Sequence, residues 1–316
     1  MTQPANVPNR LRQSSLAPHI ALILVQIMFA TWPIVGKIAL RSVSSTALVA
    51  LRVAGAALIF LAIQRGKGTI KRKDWLILVI VSLLGVVLNQ FLFVTGLSLT
   101  SAINATVIGT TIPVFTLLVG VLMGLVRGTL RRFLGIMLAA AGVVYLIDPT
   151  RANFSGSTRA GDLLIVCNSL AYGAYLAVSK DLTKRYGALT VIKWIFIVAC
   201  IFTLPVGTPA VIRTVTSNVS AGVWLGIVYI ILVPTVGAYY LNAWALARVP
   251  PSTVAVYIYL QPLVAFALAP LLLGETWSGR TLIAASFIFA GVAVVTRRSR
   301  SRAIKEVSEH PEALGH

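Results

Sequence analysis

Apolar residues along this chain neither alternate nor recur every three to four places. They run in nearly unbroken blocks of about 20 residues, and short polar stretches between them hold most of the charge. A helix of that length crosses the hydrocarbon core of a bilayer. The pattern predicts helical spans at 20–40, 45–63, 75–96, 103–124, 133–148, 161–180, 189–206, 222–246, 253–273 and 281–296, ten in all, with the fifth and tenth short. Most connections are brief. Two are rich in helix breakers, PTRANFSGSTRAG before span six and VGTPAVIRTVTSNVSAG before span eight. Polar tails flank the spans at 1–19 and 297–316.

Composition agrees with that pattern. Of 316 residues, 58% are hydrophobic and 11% charged, too few charges to cover a soluble surface. The first 18 residues lack a signal-cleavage pattern, so span one is expected to act as its own insertion signal. Cys167 and Cys200 both fall inside spans, which argues against a disulfide, and no metal-ligand spacing is present. The net charge of +19 divides by side. With the N-terminus cytoplasmic, nineteen cations lie inside. Five lie outside: Arg41, Arg151, Arg159, Arg213 and Arg280. Lys37, Arg52 and Lys193 fall within spans. Cations collect on the cytoplasmic side, so the expectation is a multi-pass protein of the cell (inner or plasma) membrane with both termini cytoplasmic. The excess charge then reports topology and not a nucleic-acid partner. The RRSRSR run near the C-terminus suits anionic lipid.

The chain also repeats itself. FATWPIVGKIALR (29–41) is echoed by YGAYLAVSKDLTK (172–184): two aromatics three apart, a lysine five further on, and a second cation four after that. At a shift of 149, Trp75 falls on Trp224, Pro113 on Pro262, and Ala141-Gly142-Val143 on Ala290-Gly291-Val292. Each copy holds five spans. Five is odd, so the copies enter the membrane from opposite faces. The expected fold is all-α and integral to the membrane: ten transmembrane helices as two inverted five-helix repeats, 20–148 and 161–296, joined by an outer linker 149–160 around a central cavity.

Several stretches resemble a known family. Trp32 and Lys37 near the end of span one, Arg52 in span two, SAINATVIGTTIPVFTLLVGVLMG, PSTVAVYIYLQPLVAFALAPLLLGE, and the span endings AGVVYLI and AGVAVVT are similar to the EamA repeat of the drug/metabolite transporter superfamily. The resemblance runs from about 20 to 296. It implies a cavity lined by spans one, three, four, six, eight and nine, and metabolite export or exchange. The first half departs from it where Leu125-Val126 stands in place of Gly274-Glu275.

Polar groups inside lipid are costly and turn inward. Beside Trp32, the substrate-binding candidates are Asn89 and Gln90 in span three, Asn104 in span four, Tyr172 and Tyr175 in span six, Tyr239 and Asn242 in span eight, and Tyr257 and Gln261 in span nine. Helix–helix hydrogen bonding is the plainer alternative for each. Lys37 and Lys180 are gate candidates or simple snorkelling lysines. Pro113 and Pro262 are hinge candidates, because each removes an amide and frees the carbonyls of Gly109 and Ile258. Arg52 must face protein or water, with a structural role favoured over substrate contact. Gly135, Ala139, Ala284, Ala285 and Gly291 suggest close packing and a homodimer contact through spans five and ten.

All eight acidic residues lie in loops, tails or span ends, and the three histidines at the start of span one or in the tail. No phosphate-binding loop and no catalytic cluster can be assembled. The expectation is a facilitator or exchanger with no cofactor, metal or enzymatic activity. Its partners would be a small-molecule substrate and the lipid bilayer. Aromatics, amides and cations at the mouths suit neutral, zwitterionic or anionic solutes such as amino acids. The rivals are an exporter of other drug-like metabolites, a non-transporting scaffold or receptor, and an intramembrane enzyme.

Overall fold

The computed structural model describes residues 16–64, 68–125, 129–147, 157–249, 253, 254 and 257–296. Residues 1–15 of the N-terminal tail, the C-terminal tail and most of the 149–160 linker lie outside them. Among the described residues there is no strand. The helical segments are α1 (Leu16–Ala39), α2 (Ser45–Ile63), α3 (Arg72–Leu99), α4 (Ala102–Leu122), α5 (Leu130–Ile147), α6 (Ser157–Tyr186), α7 (Ala188–Thr216), α8 (Ala221–Leu246), α9 (Tyr257–Leu273) and α10 (Gly279–Thr296). Seven of these, α1 to α4 and α6 to α8, are long and apolar enough to cross a membrane; α5, α9 and α10 contain shorter apolar stretches. Large apolar side chains stand outward on them, with Leu76 73% and Leu271 80% exposed. Such a surface suits lipid and not water.

Four segments depart from a plain helix. Within α3, residues Leu83–Leu88 form a π turn, and within α8 residues Ile231–Gly237 form another. The two lie 149 positions apart at their C-terminal ends. In α4 the helix stops at Gly109, turns through Thr110 and Thr111, and restarts at Ile112 with Pro113 in its first turn. The matching place in α9 is a 3₁₀ turn, Tyr257–Tyr259, leading into the α-helix at Leu260.

The breaker-rich stretch before span eight is a correction to the sequence reading. Residues 206–216 do not form a loop; they continue α7 to Thr216 across Pro205 and Pro209. Thr208 donates to the Leu204 carbonyl at 2.6 Å, so its hydroxyl helps to satisfy backbone beside the proline. Gly207 sits so close to α2 that a Cβ would stand 2.3 Å from Ala50 Cβ. Packing against α2 holds straight what local propensity would break.

The packing has a regular plan. α2 lies along α7 and α5 along α10. α6 packs on α3 and α4, and α1 packs on α8 and α9. Exchanging the two halves of the chain maps this set of pairings onto itself. The small residues of α5 and α10 serve the contact between those two helices. A Cβ on Gly291 would meet the Ala139 amide nitrogen at 2.5 Å, and one on Gly142 would meet Ile288 at 2.8 Å. Gly135, Ala139, Ala284, Ala285 and Gly291 are thus used within one chain.

Candidate substrate cavity

A cavity of about 720 Å3, its open mouth included, lies among α1, α2, α3, α4, α6, α8 and α9. Its wall includes Gln26, Trp32, Arg52, Asn89, Gln90, Asn168, Tyr172, Tyr239, Asn242 and Gln261, with Phe29, Phe93 and Ile112 among the apolar residues. Of the candidates named from sequence, Trp32, Asn89, Gln90, Tyr172, Tyr239, Asn242 and Gln261 come together here.

The remaining candidates lie elsewhere. Asn104 sits at the start of α4, its amide 3.3 Å from Asp162 Oδ2. Tyr175 is buried behind Tyr172, ring centroids 5.3 Å apart, and fills the space that a side chain at Gly85 would need. Tyr257 and His19 Nδ1 are hydrogen-bonded at 2.7 Å, joining α9 to the first turns of α1. A four-residue spacing puts Tyr257 on the face of Gln261 only in an α-helix; the 3₁₀ turn at Tyr257–Tyr259 changes that register. Lys180 is half-buried near the end of α6.

The helix breaks face the cavity. Gly109 and Ile258 both line it, and a Cβ at Gly109 would meet nothing within 4 Å. Pro113 has no amide for the Gly109 carbonyl, and Pro262 none for that of Ile258. Both prolines are buried in the first turn of the α-helical segment that follows the break.

Arg52 is the most heavily bonded group in the wall. Its side chain is buried, 1% exposed, with the guanidinium 3.8 Å above the Trp32 ring. Nε and one terminal nitrogen donate to Thr235 Oγ1 at 3.0 and 2.9 Å, and the other terminal nitrogen donates to Gln90 Oε1. Gln90 Nε2 in turn donates to the Tyr239 hydroxyl at 2.9 Å, which lies 3.2 Å from the Gly85 carbonyl. Both π turns feed this network. Pro234 denies the Ile230 carbonyl its α-helical partner; the π turn answers it with an i→i+5 bond, and the Thr235 hydroxyl adds a second donor at 2.7 Å. Gly85 belongs to the other turn.

At the end of the bundle where α1, α3 and α9 terminate, polar contacts join the two groups of helices. Lys37 Nζ donates to the Leu97 carbonyl at 2.8 Å and to that of Thr100, a cation at the C-terminus of α3. The amides of Ala102 and Ile103 donate to Glu275 Oε1 and Oε2 at 2.8 and 3.0 Å, a carboxylate capping the N-terminus of α4. Thr100 donates to Asp162 at 2.5 Å. At the opposite end Arg185 binds Asp74 through both carboxylate oxygens, at 2.8 and 2.9 Å.

Gln26 and Thr235 escaped the sequence reading. Gln26 is 1% exposed and accepts from Gln261 Nε2 at 2.6 Å. It is an amide inside an apolar span, the same signal that marked Asn89. Thr235 carried a weaker one, a hydroxyl next to a mid-span proline.

The sequence profile of the EamA-like transporter family matches residues 16–147 and 159–297. The chain belongs to the EamA-like transporter family. Among curated relatives, an uncharacterized transporter of Archaeoglobus fulgidus is 28% identical over 89% of this chain and 97% of its own length. A protein of Streptantibioticus cattleyicolor named a probable terminal-alkyne amino-acid exporter is 26% identical over 60% of this chain and 62% of its own. A crystal structure with 18% identity shares the fold, with a TM-score of 0.60 over 89% of this chain and 96% of that one. This EamA-family chain is therefore a multi-pass membrane protein of a transporter family. Among its described residues no cluster of metal-ligating side chains occurs.

Proposed function

We propose that this chain is a secondary transporter that moves small metabolites such as amino acids out of the cell by alternating access. Its ten helices form two inverted repeats, 20–148 and 161–296, in the cell membrane, with both termini cytoplasmic. The observation that carries this reading is a cavity set among matched discontinuities. The breaks in α4 and α9 line it, and the π turns in α3 and α8, at equivalent positions of the two halves, lead into its wall residues Asn89, Gln90 and Tyr239. Interrupted helices at the interface of two repeats are the usual setting of a transported solute, since irregular backbone is tolerated in a membrane where it lines a cavity. The self-consistent exchange of helix pairings supports the two-fold relation, and the odd number of spans per half puts the axis in the membrane plane.

With the N-terminus inside, the Lys37, Glu275 and Asp162 contacts close the outer end. The sequence carries no acid at the inner equivalent of Glu275, where Val126 stands. The two gates are therefore chemically unlike, as suits a protein that loads from one side. Outward direction is supported by the relative named an amino-acid exporter. The test is counterflow in liposomes with pooled metabolites. Wild-type protein accumulates one or more labelled solutes, and Gln261→Ala and Asn89→Ala reduce that accumulation at least several-fold. A scaffold or receptor gives no flux and no change of cysteine accessibility at Gln261.

A further inference from the structure

Arg52 is a buried cation whose charge nothing in the described structure answers. The described acids are engaged or placed elsewhere. Asp74 holds Arg185, Asp162 holds Thr100, and Glu275 caps α4, while Asp181 is exposed. None lines the cavity. The partners Arg52 does have, Thr235, Gln90 and the face of Trp32, are neutral. They fix the guanidinium without neutralising it. A guanidinium carries five N–H donors; three are engaged by these contacts, and Arg52 is one of the residues that line the cavity. Removing such a charge from water without a counter-charge is costly, and a cation kept at that cost inside a membrane marks a ligand site.

The other two cations that fall within spans are already committed. The Lys37 ammonium is turned onto carbonyls at the end of α3, and that of Lys193 onto the Gly68 carbonyl. We propose that Arg52 is the anion anchor of the cavity: it receives the carboxylate of the transported solute, and the free carboxylate is what the cavity selects. This rests on the transporter reading given above. A planar fork matches a carboxylate with two parallel hydrogen bonds. Around that contact the wall is aromatic and aliphatic, from Phe29, Phe93, Ile112 and Ile258, so the solute carries its carboxylate on an apolar body. The Gly109 and Ile258 carbonyls, deprived of helix partners, offer acceptors for an ammonium group at a distance from Arg52. A zwitterion is thereby accommodated with no buried carboxylate of the protein.

The experiment uses purified full-length protein in liposomes and four matched probes: phenylalanine, 3-phenylpropanoate, phenylalaninamide and phenylalaninol. Each is tested for competition against the solute found by pooled counterflow. The two free acids compete and the amide and alcohol do so at least tenfold more weakly. Arg52→Gln abolishes that preference, while Arg52→Lys retains part of it. Equal competition by the amide and the acid overturns the proposal, as does Arg52→Gln with wild-type discrimination. Flux of pooled solutes with no competition from either acid also overturns it while leaving the transporter reading standing. An absence of flux for every pool removes the transporter reading and the proposal with it. The acid-against-amide comparison on unaltered protein decides the matter even where the variants fail to fold.

Discussion

Thr235 shows how one side chain can hold two systems together. Its hydroxyl hydrogen donates to the Ile230 carbonyl, and its oxygen accepts from Arg52 twice. Thr235→Val keeps shape and volume but leaves part of a buried guanidinium unmatched. Each unsatisfied buried group costs about 1–3 kcal/mol. The variant should lose thermal stability in detergent and transport rate together, and Thr235→Ser should recover both; a Val variant melting with the wild type contradicts this account. Arg52 itself was legible in the sequence as a cation that could not face lipid. Its partner was not, because Thr235 lies 183 positions away and only the fold brings it near. The seven cavity residues were found by one rule, a polar or amphipathic side chain inside an apolar span. Tyr257 and Asn104 satisfy the same rule yet serve contacts at the helix ends, so the rule finds inward-facing groups without telling lumen from seam.

Elements explain most of what the sequence reading placed well and what it missed. Hydropathy alone located the helices, since block length is a direct consequence of bilayer thickness. It could not see the π turns or the full length of α7. Those depend on partners in other helices, such as Ala50 beneath Gly207. The α5–α10 contact gives a clean test at this level. Gly291→Ala places a methyl against backbone at 2.5 Å and has no flexible neighbour to move, whereas a Cβ at Gly222 meets nothing within 4 Å. Gly291→Ala should lower the melting temperature by several degrees and reduce folded yield, and Gly222→Ala should leave both unchanged. The capping of α4 gives another. Glu275→Gln removes a charge at a helix N-terminus worth about 0.3–1 kcal/mol and weakens the contact between α9 and α4. Labelling of Gln261→Cys by an impermeant maleimide added from outside should then quicken several-fold; an unchanged rate means that Glu275 does not help to close that end.

At the scale of the whole molecule, each half leans on the other for its main contacts. α1 packs on α8 and α9, α6 on α3 and α4, and α2 and α5 on α7 and α10. Orientation is testable by tags at the two ends, which should both be protected in intact cells and exposed after permeabilisation. The interlocking has a further consequence. The stretch of chain that the family profile matches and the body that would swing as one piece in the proposed cycle are different objects: α1 packs with the C-terminal half, and α6 with the N-terminal one. Neither copy expressed by itself should yield a monodisperse particle, whereas the two fragments produced side by side, severed in the 149–160 linker, should reassemble and recover flux.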